Sequence, residues 1–225
     1  MHFKYGKTET DFLKAKDARL GEVIDRIGAI ERTVHTDLFT AVVHSIVGQQ
    51  ISNKALETVW GRVTALLGTV DAAHILNAGP ERLQACGMSF IKAGNILDFA
   101  GKVHSGAFNL KAVEAMNDAD AIEALSSLKG IGIWTAEMIL LFCLQRQNIF
   151  SFGDLAIQRG LRMVYHHRRI DRQRFEKYRR RFNPYCSVAS LYLWAVSGGA
   201  IPEMKDYAPK AKVTPRIPRK KQATT

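Results

Sequence analysis

Apolar residues recur along most of this chain at intervals of three or four positions, which is the spacing of helices that bury one face. Alternating strand-like stretches between turn residues are scarce. The pattern therefore predicts an all-α fold with short connections. We expect helices after the capping residues Asp37 and Ser52, the second ending at Gly68. Further helices are predicted at 80–86, 89–104, 118–127, 133–145, 154–165, 171–182 and 186–197.

The helical pattern stops near Pro202, where proline, lysine and arginine replace the apolar spacing. We expect residues 1–202 to form one core of two packed helical lobes, and residues 203–225 to form a basic, flexible tail. The expected lobes are residues 37–130, with a hairpin at 128–134 on the border, and residues 1–36 together with 150–199.

The composition is that of a folded intracellular protein. The chain has 225 residues, of which 47% are hydrophobic, enough to bury a core. Cys86, Cys143 and Cys186 lie far apart and form no C-x-x-C pair, so we expect reduced thiols. No segment approaches the roughly 18 consecutive apolar residues of a membrane span, and no signal peptide is evident. We therefore expect a soluble protein with no membrane partner.

The net charge of +11 favours a polyanionic partner such as a nucleic acid. Between Arg159 and Arg181, ten lysines and arginines stand against two acidic residues. Such a cluster can contact DNA phosphates and supply affinity without sequence preference. A solvated helix face is the alternative interpretation of the same cluster.

A turn rich in glycine separates two predicted helices at Leu128–Trp134. Gly130 and Gly132 stand where a tight turn would need unusual backbone angles. The free N–H groups at the start of the next helix could bind a phosphate. An ordinary helix-turn-helix connection is the alternative. A dinucleotide-binding loop is disfavoured, because Thr135 replaces the third glycine of that motif and no strand precedes it.

This hairpin and the segment Phe150–Asp154 resemble the helix-hairpin-helix (HhH-GPD) DNA glycosylase superfamily, most closely its AlkA-like DNA-3-methyladenine glycosylase II branch. Trp134 and Asp154 are 20 residues apart, as in that branch. Residues 47–52 and 183–194 also resemble family segments, so that the resemblance spans most of the chain.

The resemblance implies a two-lobed fold with a DNA cleft between the lobes, and a role in base excision repair. The expected reaction is hydrolysis of the N-glycosidic bond of an alkylated purine, of the 3-methyladenine and 7-methylguanine class. The substrate would be double-stranded DNA whose damaged nucleotide is flipped out of the helix. Two rival functions remain open: a glycosylase for other damaged bases, and a non-catalytic DNA-damage-binding module.

Asp154 is the candidate catalytic residue. Positive charge builds on the sugar as the base departs, and a carboxylate can oppose that charge or orient the attacking water. Helix capping is an alternative role for Asp154 that is compatible with catalysis. Trp134 stands where lyase-competent relatives carry a nucleophilic lysine, so we expect a monofunctional enzyme.

The resemblance also assigns a base pocket and a surface that contacts DNA. Trp134, Trp194, Met138 and Leu155 would line the pocket, where aromatic faces attract a cationic base. Core packing is the alternative for both tryptophans. Gln50 would fill the gap left by the flipped nucleotide, although it could simply be a polar turn residue. The other expected DNA contacts are Gln49, Ile51, Ser52, Lys129, Gly130, Ile131, Gly132 and Thr135.

No catalytic cofactor is expected. Three scattered cysteines cannot supply the four ligands of an iron–sulfur cluster. Four histidines lack the spacing of a metal site, namely His35, His44, His166 and His167. The resemblance implies at most a structural Na⁺ or K⁺ ion at the hairpin, held by the main-chain carbonyls of Ser126, Leu128 and Ile131. We expect a monomer, located in the cytoplasm or with the DNA of a nucleoid or nucleus.

Overall fold

The computed structural model describes residues 1–209, and their regular structure is helical. The helices are α1 (Lys7–Lys16), α2 (Ala18–Ile27), α3 (Leu38–Gly48), α4 (Asn53–Leu67), α5 (Ala72–Ala85), α6 (Phe90–His104), α7 (Leu110–Ala115), α8 (Asp118–Ser126), α9 (Ile133–Phe142), α10 (Leu155–Tyr165), α11 (Arg172–Phe182) and α12 (Cys186–Ser197). Extended pairing within these residues is limited to an isolated bridge between His2 and Thr33. The predicted all-α fold is confirmed.

The predicted helix ends at Asp37, Ser52 and Gly68 are confirmed. The Asp37 carboxylate accepts hydrogen bonds from two main-chain N–H groups in the first turn of α3. The Ser52 hydroxyl accepts one from Ala55 in α4. Gly68 ends α4 with a φ of 66°, which residues with a Cβ rarely adopt. These side chains satisfy main-chain groups that have no partner inside the helix.

Three helical segments were not predicted from the sequence. Helix α1 buries only Leu13 and helix α7 buries only Val113, so neither has much apolar periodicity. Helix α2 buries Leu20, Val23 and Ile24, but it is only ten residues long. Short helices such as α1 and α7 are stabilised by packing against the rest of the protein, which a local pattern does not reveal. The buried residues of α2 do have helical spacing, so that helix was missed although its pattern is present in the sequence.

Two predicted helix boundaries are wrong. Helix α5 begins eight residues before the predicted start at 80, because a kink at Gly79, with a φ of 75°, joins two helical segments. Pro80 follows the kink at a position where a proline ring fits the first turn of a helix. Helix α9 ends at Phe142 rather than at 145.

The helices form two groups. In one, α1 and α2 pack against α10, α11 and α12; in the other, α3 packs against α4, α6 and α9. Residues 203–208, which begin the predicted tail, contact the first group, since Arg162 in α10 forms a bidentate ion pair with Asp206 at 2.7 Å. The remainder of that tail, residues 210–225, lies outside the described residues. No helix in residues 1–209 is long and apolar enough to cross a membrane.

Candidate active site

Asp154 occupies the N-cap position of α10 and is 7% exposed. Its Oδ1 atom accepts hydrogen bonds from the main-chain N–H groups of Ala156 and Ile157, at 2.8 and 2.9 Å. Its Oδ2 atom accepts a third from Trp134 Nε1 at 3.0 Å. The predicted cap is therefore confirmed. The cap uses one carboxylate oxygen and leaves the other facing the indole ring of α9, so the orientation of the whole group is fixed.

A cleft of about 930 Å³ opens beside this carboxylate. One wall comes from α3, α4 and residues 31–35, which precede α3. The other comes from α9, α12 and Asp154 itself. Of the predicted base-pocket residues, Trp134, Met138 and Trp194 line the cleft. Leu155 does not line it and is 78% exposed. As the first residue of α10, Leu155 follows the capping aspartate while its side chain faces solvent.

The aromatic residues of the cleft are only partly covered. Trp134 is 49% exposed, so core packing does not account for its position. Trp194 is half-buried and stacks against Phe142, with ring centroids 5.5 Å apart. The Arg32 guanidinium lies 5.3 Å from the Phe142 ring centroid. A planar ligand entering the cleft would therefore meet aromatic faces close to the Asp154 carboxylate.

Three further rings in the cleft were not predicted to lie there. His35 and His44 have ring centroids 4.6 Å apart, and Trp60 meets His44 edge-on at 4.8 Å. Burial lowers the pKa of His35, and burial together with the neighbouring His35 lowers that of His44 to about 4. From the sequence, His35 and His44 were considered only as metal ligands, and Trp60 only as a member of a helical pattern. No group of three or more potential ligands in residues 1–209 forms a metal site.

Cys143, one of the three cysteines expected to be reduced, also lines the cleft. It is partly exposed, and burial raises its pKa to about 12. A thiol with so high a pKa is not ionised near neutrality, so it is a poor nucleophile.

The loop that follows α3 is anchored to the hairpin. Gln49 Nε2 donates to the Gly130 carbonyl oxygen at 2.6 Å. Lys92 Nζ, in α6, donates to the carbonyl oxygens of Val47 and Gln49, at 2.8 and 2.6 Å. Gln50, the next residue, is exposed and has a φ of 57°, a left-handed conformation that is costly for glutamine. The anchors therefore hold Gln50 in a fixed conformation at the tip of the loop.

The two hairpin glycines, Gly130 and Gly132, differ in backbone conformation. Gly130 has a φ of 82°, and a Cβ there would lie 2.5 Å from Asn95 Nδ2. Gly132 is the N-cap of α9, in extended conformation with a φ of −91°, and a Cβ there would meet open space. The expectation of unusual backbone angles is right for Gly130 and wrong for Gly132. Lys129 Nζ pairs with Asp98 at 2.6 Å.

The other predicted DNA contacts lie on the loop that follows α3 and on the hairpin with the start of α9. Ile51 is 37% exposed, and Ser52 serves as the cap of α4. Thr135 is partly buried in the first turn of α9. At the hairpin, the Leu128 carbonyl accepts a hydrogen bond from Ile131 N–H at 3.1 Å. Within residues 1–209, no main-chain N–H outside the helices donates to the carbonyls of Ser126 or Ile131.

Glu137 places a second carboxyl near Asp154, and its position was not predicted from the sequence. Burial raises the pKa of Glu137, and the Asp154 charge acts in the same direction. Arg172 and Arg179 in α11 act in the opposite direction. Two arginines of the basic cluster are therefore close enough to influence this region electrostatically.

Comparison with known proteins yields one family. A model described as HhH-GPD superfamily base excision DNA repair protein matches residues 43–184. DNA-3-methyladenine glycosylase 1 of Schizosaccharomyces pombe is 27% identical over 164 residues, covering 71% of this chain and 72% of that protein. The crystal structure of a DNA-3-methyladenine glycosidase from Bacillus halodurans is similar at a TM-score of 0.81 and 32% identity, covering 92% of this chain and 97% of that one. S. pombe Mag1 in complex with abasic DNA shares the fold, at a TM-score of 0.75 and 24% identity over 85% of this chain and 97% of that one.

Proposed function

Since this chain belongs to the HhH-GPD superfamily of base excision DNA repair proteins, we propose that it removes alkylated purines from DNA as a DNA glycosylase. The observation that carries the proposal is a fixed, buried Asp154 carboxylate in a cleft lined by Trp134 and Trp194. The relatives named above are 3-methyladenine glycosylases. The alkylated purines of the proposal are the substrate class that the names of these relatives state.

The geometry of Asp154 supports the proposed chemistry. The carboxylate uses three hydrogen bonds for its orientation, so it needs no rearrangement to oppose the positive charge that develops on the sugar. A carboxylate has about four acceptor sites, so one remains for a water that attacks C1′. Trp134 and Trp194 offer π-faces to a purine made cationic by alkylation.

Base flipping requires a residue to fill the vacated stack. Gln50 suits this role because it is exposed and is held at the tip of an anchored loop. Its amide can hydrogen-bond the orphaned partner base. The main-chain N–H groups at the start of α9 would bind a DNA phosphate. Arginines of α11 would add phosphate contacts of the kind that weaken with salt.

The proposed enzyme is monofunctional and leaves an abasic site. A lyase needs an amine that can attack C1′. No lysine lines the cleft within residues 1–209, and Lys129 of the hairpin is paired with Asp98. Borohydride should therefore trap no covalent complex between the protein and DNA that contains an abasic site.

The resemblance to the family implies a monovalent cation at the hairpin. The residues fit such an ion. Among residues 1–209, no main-chain N–H outside the helices donates to the carbonyls of Ser126 and Ile131, and the Leu128 carbonyl receives one of the two hydrogen bonds that it can accept. The ion would help to hold a phosphate. We propose no catalytic metal and no iron–sulfur cluster. A monomer suffices for the reaction, and the protein would act wherever the genomic DNA is held.

The test compares wild type with Asp154→Asn on methylated duplex DNA, measuring free 3-methyladenine and 7-methylguanine. Asparagine caps helices as well as aspartate, so the variant removes the charge and keeps the helix end. Asp71→Asn is the matched control, because Asp71 is the exposed cap of α5. We expect release by wild type and Asp71→Asn only.

The other outcomes separate the rival functions. Equal release by all three proteins would remove Asp154 from the mechanism. Absence of release by wild type would refute the alkylpurine assignment. Release from DNA with deaminated or oxidised bases would then identify a glycosylase for other lesions, and binding without release would identify a damage-binding module.

A further inference from the structure

The wall of the cleft formed by α3, α4 and the segment before α3 carries a row of three rings for which the proposed mechanism has no use. His44 in α3 stands between His35 and Trp60 of α4, in contact with both. All three rings line the same cleft as Asp154 and Trp194. We call His35, His44 and Trp60 the histidine wall. Because it faces the cleft rather than the protein core, its polar atoms are available to whatever enters.

The ring nitrogens of His44 form no hydrogen bond with another group of residues 1–209. The neighbours of His44 within residues 1–209 are aromatic rings, and no hydrogen bond contributes to its lowered pKa. A neutral imidazole carries one donor and one acceptor. Neither nitrogen is among the buried polar atoms of residues 1–209 that lack a partner, so both are open to a ligand or a water in the cleft.

The depth of the polar groups in the cleft separates His35, His44 and Ser45 from the polar residues at its mouth. Five polar or charged lining residues are exposed and therefore lie at the mouth: Glu31, Arg32, Thr33, Asn53 and Glu57. The polar residues covered to a greater extent are Asp154 on one wall and His35, His44 and Ser45 on the other. The proposed function places the sugar beside Asp154, so the base would extend toward the histidine wall.

The charge of the cleft is compatible with a cationic base only if the histidines are neutral. Within the described residues, three carboxylates line the cleft, those of Glu31, Glu57 and Asp154, against one guanidinium, that of Arg32. Two imidazolium ions would cancel the remaining negative charge. The lowered pKa values of both histidines keep them uncharged near neutrality.

We propose that the neutral imidazole of His44, fixed between His35 and Trp60, hydrogen-bonds the edge of the flipped purine and helps to decide which bases are released. The proposal rests on the proposed glycosylase function. Purine edges present ring nitrogens beside exocyclic amino or carbonyl groups, and an imidazole can match either type by its choice of tautomer. The tryptophans would attract the cationic ring face, and His44 would read its edge.

The experiment uses His44→Phe, which keeps a ring between His35 and Trp60 but removes the hydrogen bond. Single-turnover release of 7-methylguanine is compared with release of the uncharged purine hypoxanthine. Binding to DNA that already contains an abasic site is measured in parallel, since that DNA has no base to read. His104→Phe, at the exposed end of α6, is the control.

We expect His44→Phe to slow 7-methylguanine release about tenfold, which corresponds to the loss of roughly one hydrogen bond. The ratio of the 7-methylguanine release rate to the hypoxanthine release rate should also change. Binding to abasic DNA should stay within about twofold. His44→Gln, which keeps a donor and an acceptor, should recover part of the rate. It also provides the test if the phenylalanine variant does not fold.

Unchanged release of both bases by His44→Phe would overturn the proposal. Equal losses in release and in abasic-DNA binding would also overturn it, because they would indicate a contact to the DNA backbone or a structural role. Absence of release by wild type would instead refute the glycosylase function itself, so the two failures are distinguishable.

Discussion

Gly160 is the position where one added methyl group should disturb both the fold and the site. It lies in α10, whose first turn is capped by Asp154, and it faces Leu193 of α12, the neighbour of Trp194. A Cβ at this position would lie 2.9 Å from the Leu193 carbonyl carbon and closer still to its oxygen. Because these are backbone atoms, the clash cannot be relieved by a side-chain rotation.

The expected cost of Gly160→Ala follows from two opposing effects. Overpacking of a buried contact costs about 1–3 kcal/mol, and the upper end applies where backbone must move. Alanine stabilises a helix interior by about 1 kcal/mol relative to glycine. We therefore expect a net loss of about 1–2 kcal/mol in the free energy of unfolding. Separating α10 from α12 should also move Asp154 relative to Trp194 and slow base release.

Urea unfolding followed by circular dichroism measures this free energy. Gly61→Ala in α4 and Gly94→Ala in α6 are matched controls, because a Cβ at either position meets nothing within 4 Å. Both controls should be stabilised by about 0.5–1 kcal/mol. If Gly160→Ala proved as stable as the two controls, the close approach of α10 to α12 and the reasoning built on it would be refuted.

Three further predictions test separate features of the site. Trp134→Phe should lower the rate of base release about tenfold by removing the hydrogen bond to Asp154; an unchanged single-turnover rate would show that this bond does not position the carboxylate. Burial and His35 lower the pKa of His44 from 6.5 to about 4 in the folded protein. Between pH 6.5 and about 4 the proton therefore binds only to the unfolded chain, so the contribution of His44 makes the free energy of unfolding fall as the pH drops through this range. His44→Phe should weaken that dependence in urea titrations at several pH values, and an identical dependence would contradict the assignment. Lys92→Met should release the carbonyls of Val47 and Gln49 and weaken binding to abasic DNA several-fold. Equal binding by the variant and wild type would contradict this prediction.

Features governed by local sequence were accessible from the sequence alone. The caps at Asp37, Ser52 and Asp154 were predicted because the bonds that define them reach only two or three residues along the chain. Helix α2 was missed although its cap bond, from Leu20 N–H to Asp17, is equally local and its buried residues have helical spacing. The pairing of Asp17 with Arg181, which is 164 residues away, is a contact that local periodicity cannot show.

The site shows the same limit. The distance of 20 residues from Trp134 to Asp154 was evident in the sequence, although the indole hydrogen bond that joins them was not. His44 and Trp60 came into the cleft through the packing of α3 against α4 and α9, which no motif marked. Leu155 was predicted from its place after Asp154, but the direction of its side chain depends on the exact start of α10.

The central claim is that the Asp154 carboxylate drives base release. Its most direct test is the single-turnover release of 7-methylguanine from a duplex with one such lesion, by wild type and Asp154→Asn, with binding to that duplex measured alongside. The account predicts a rate at least about a hundredfold lower for Asp154→Asn, as for the loss of a group that stabilises transition-state charge, and equal binding. Equal release rates for the two proteins would contradict it.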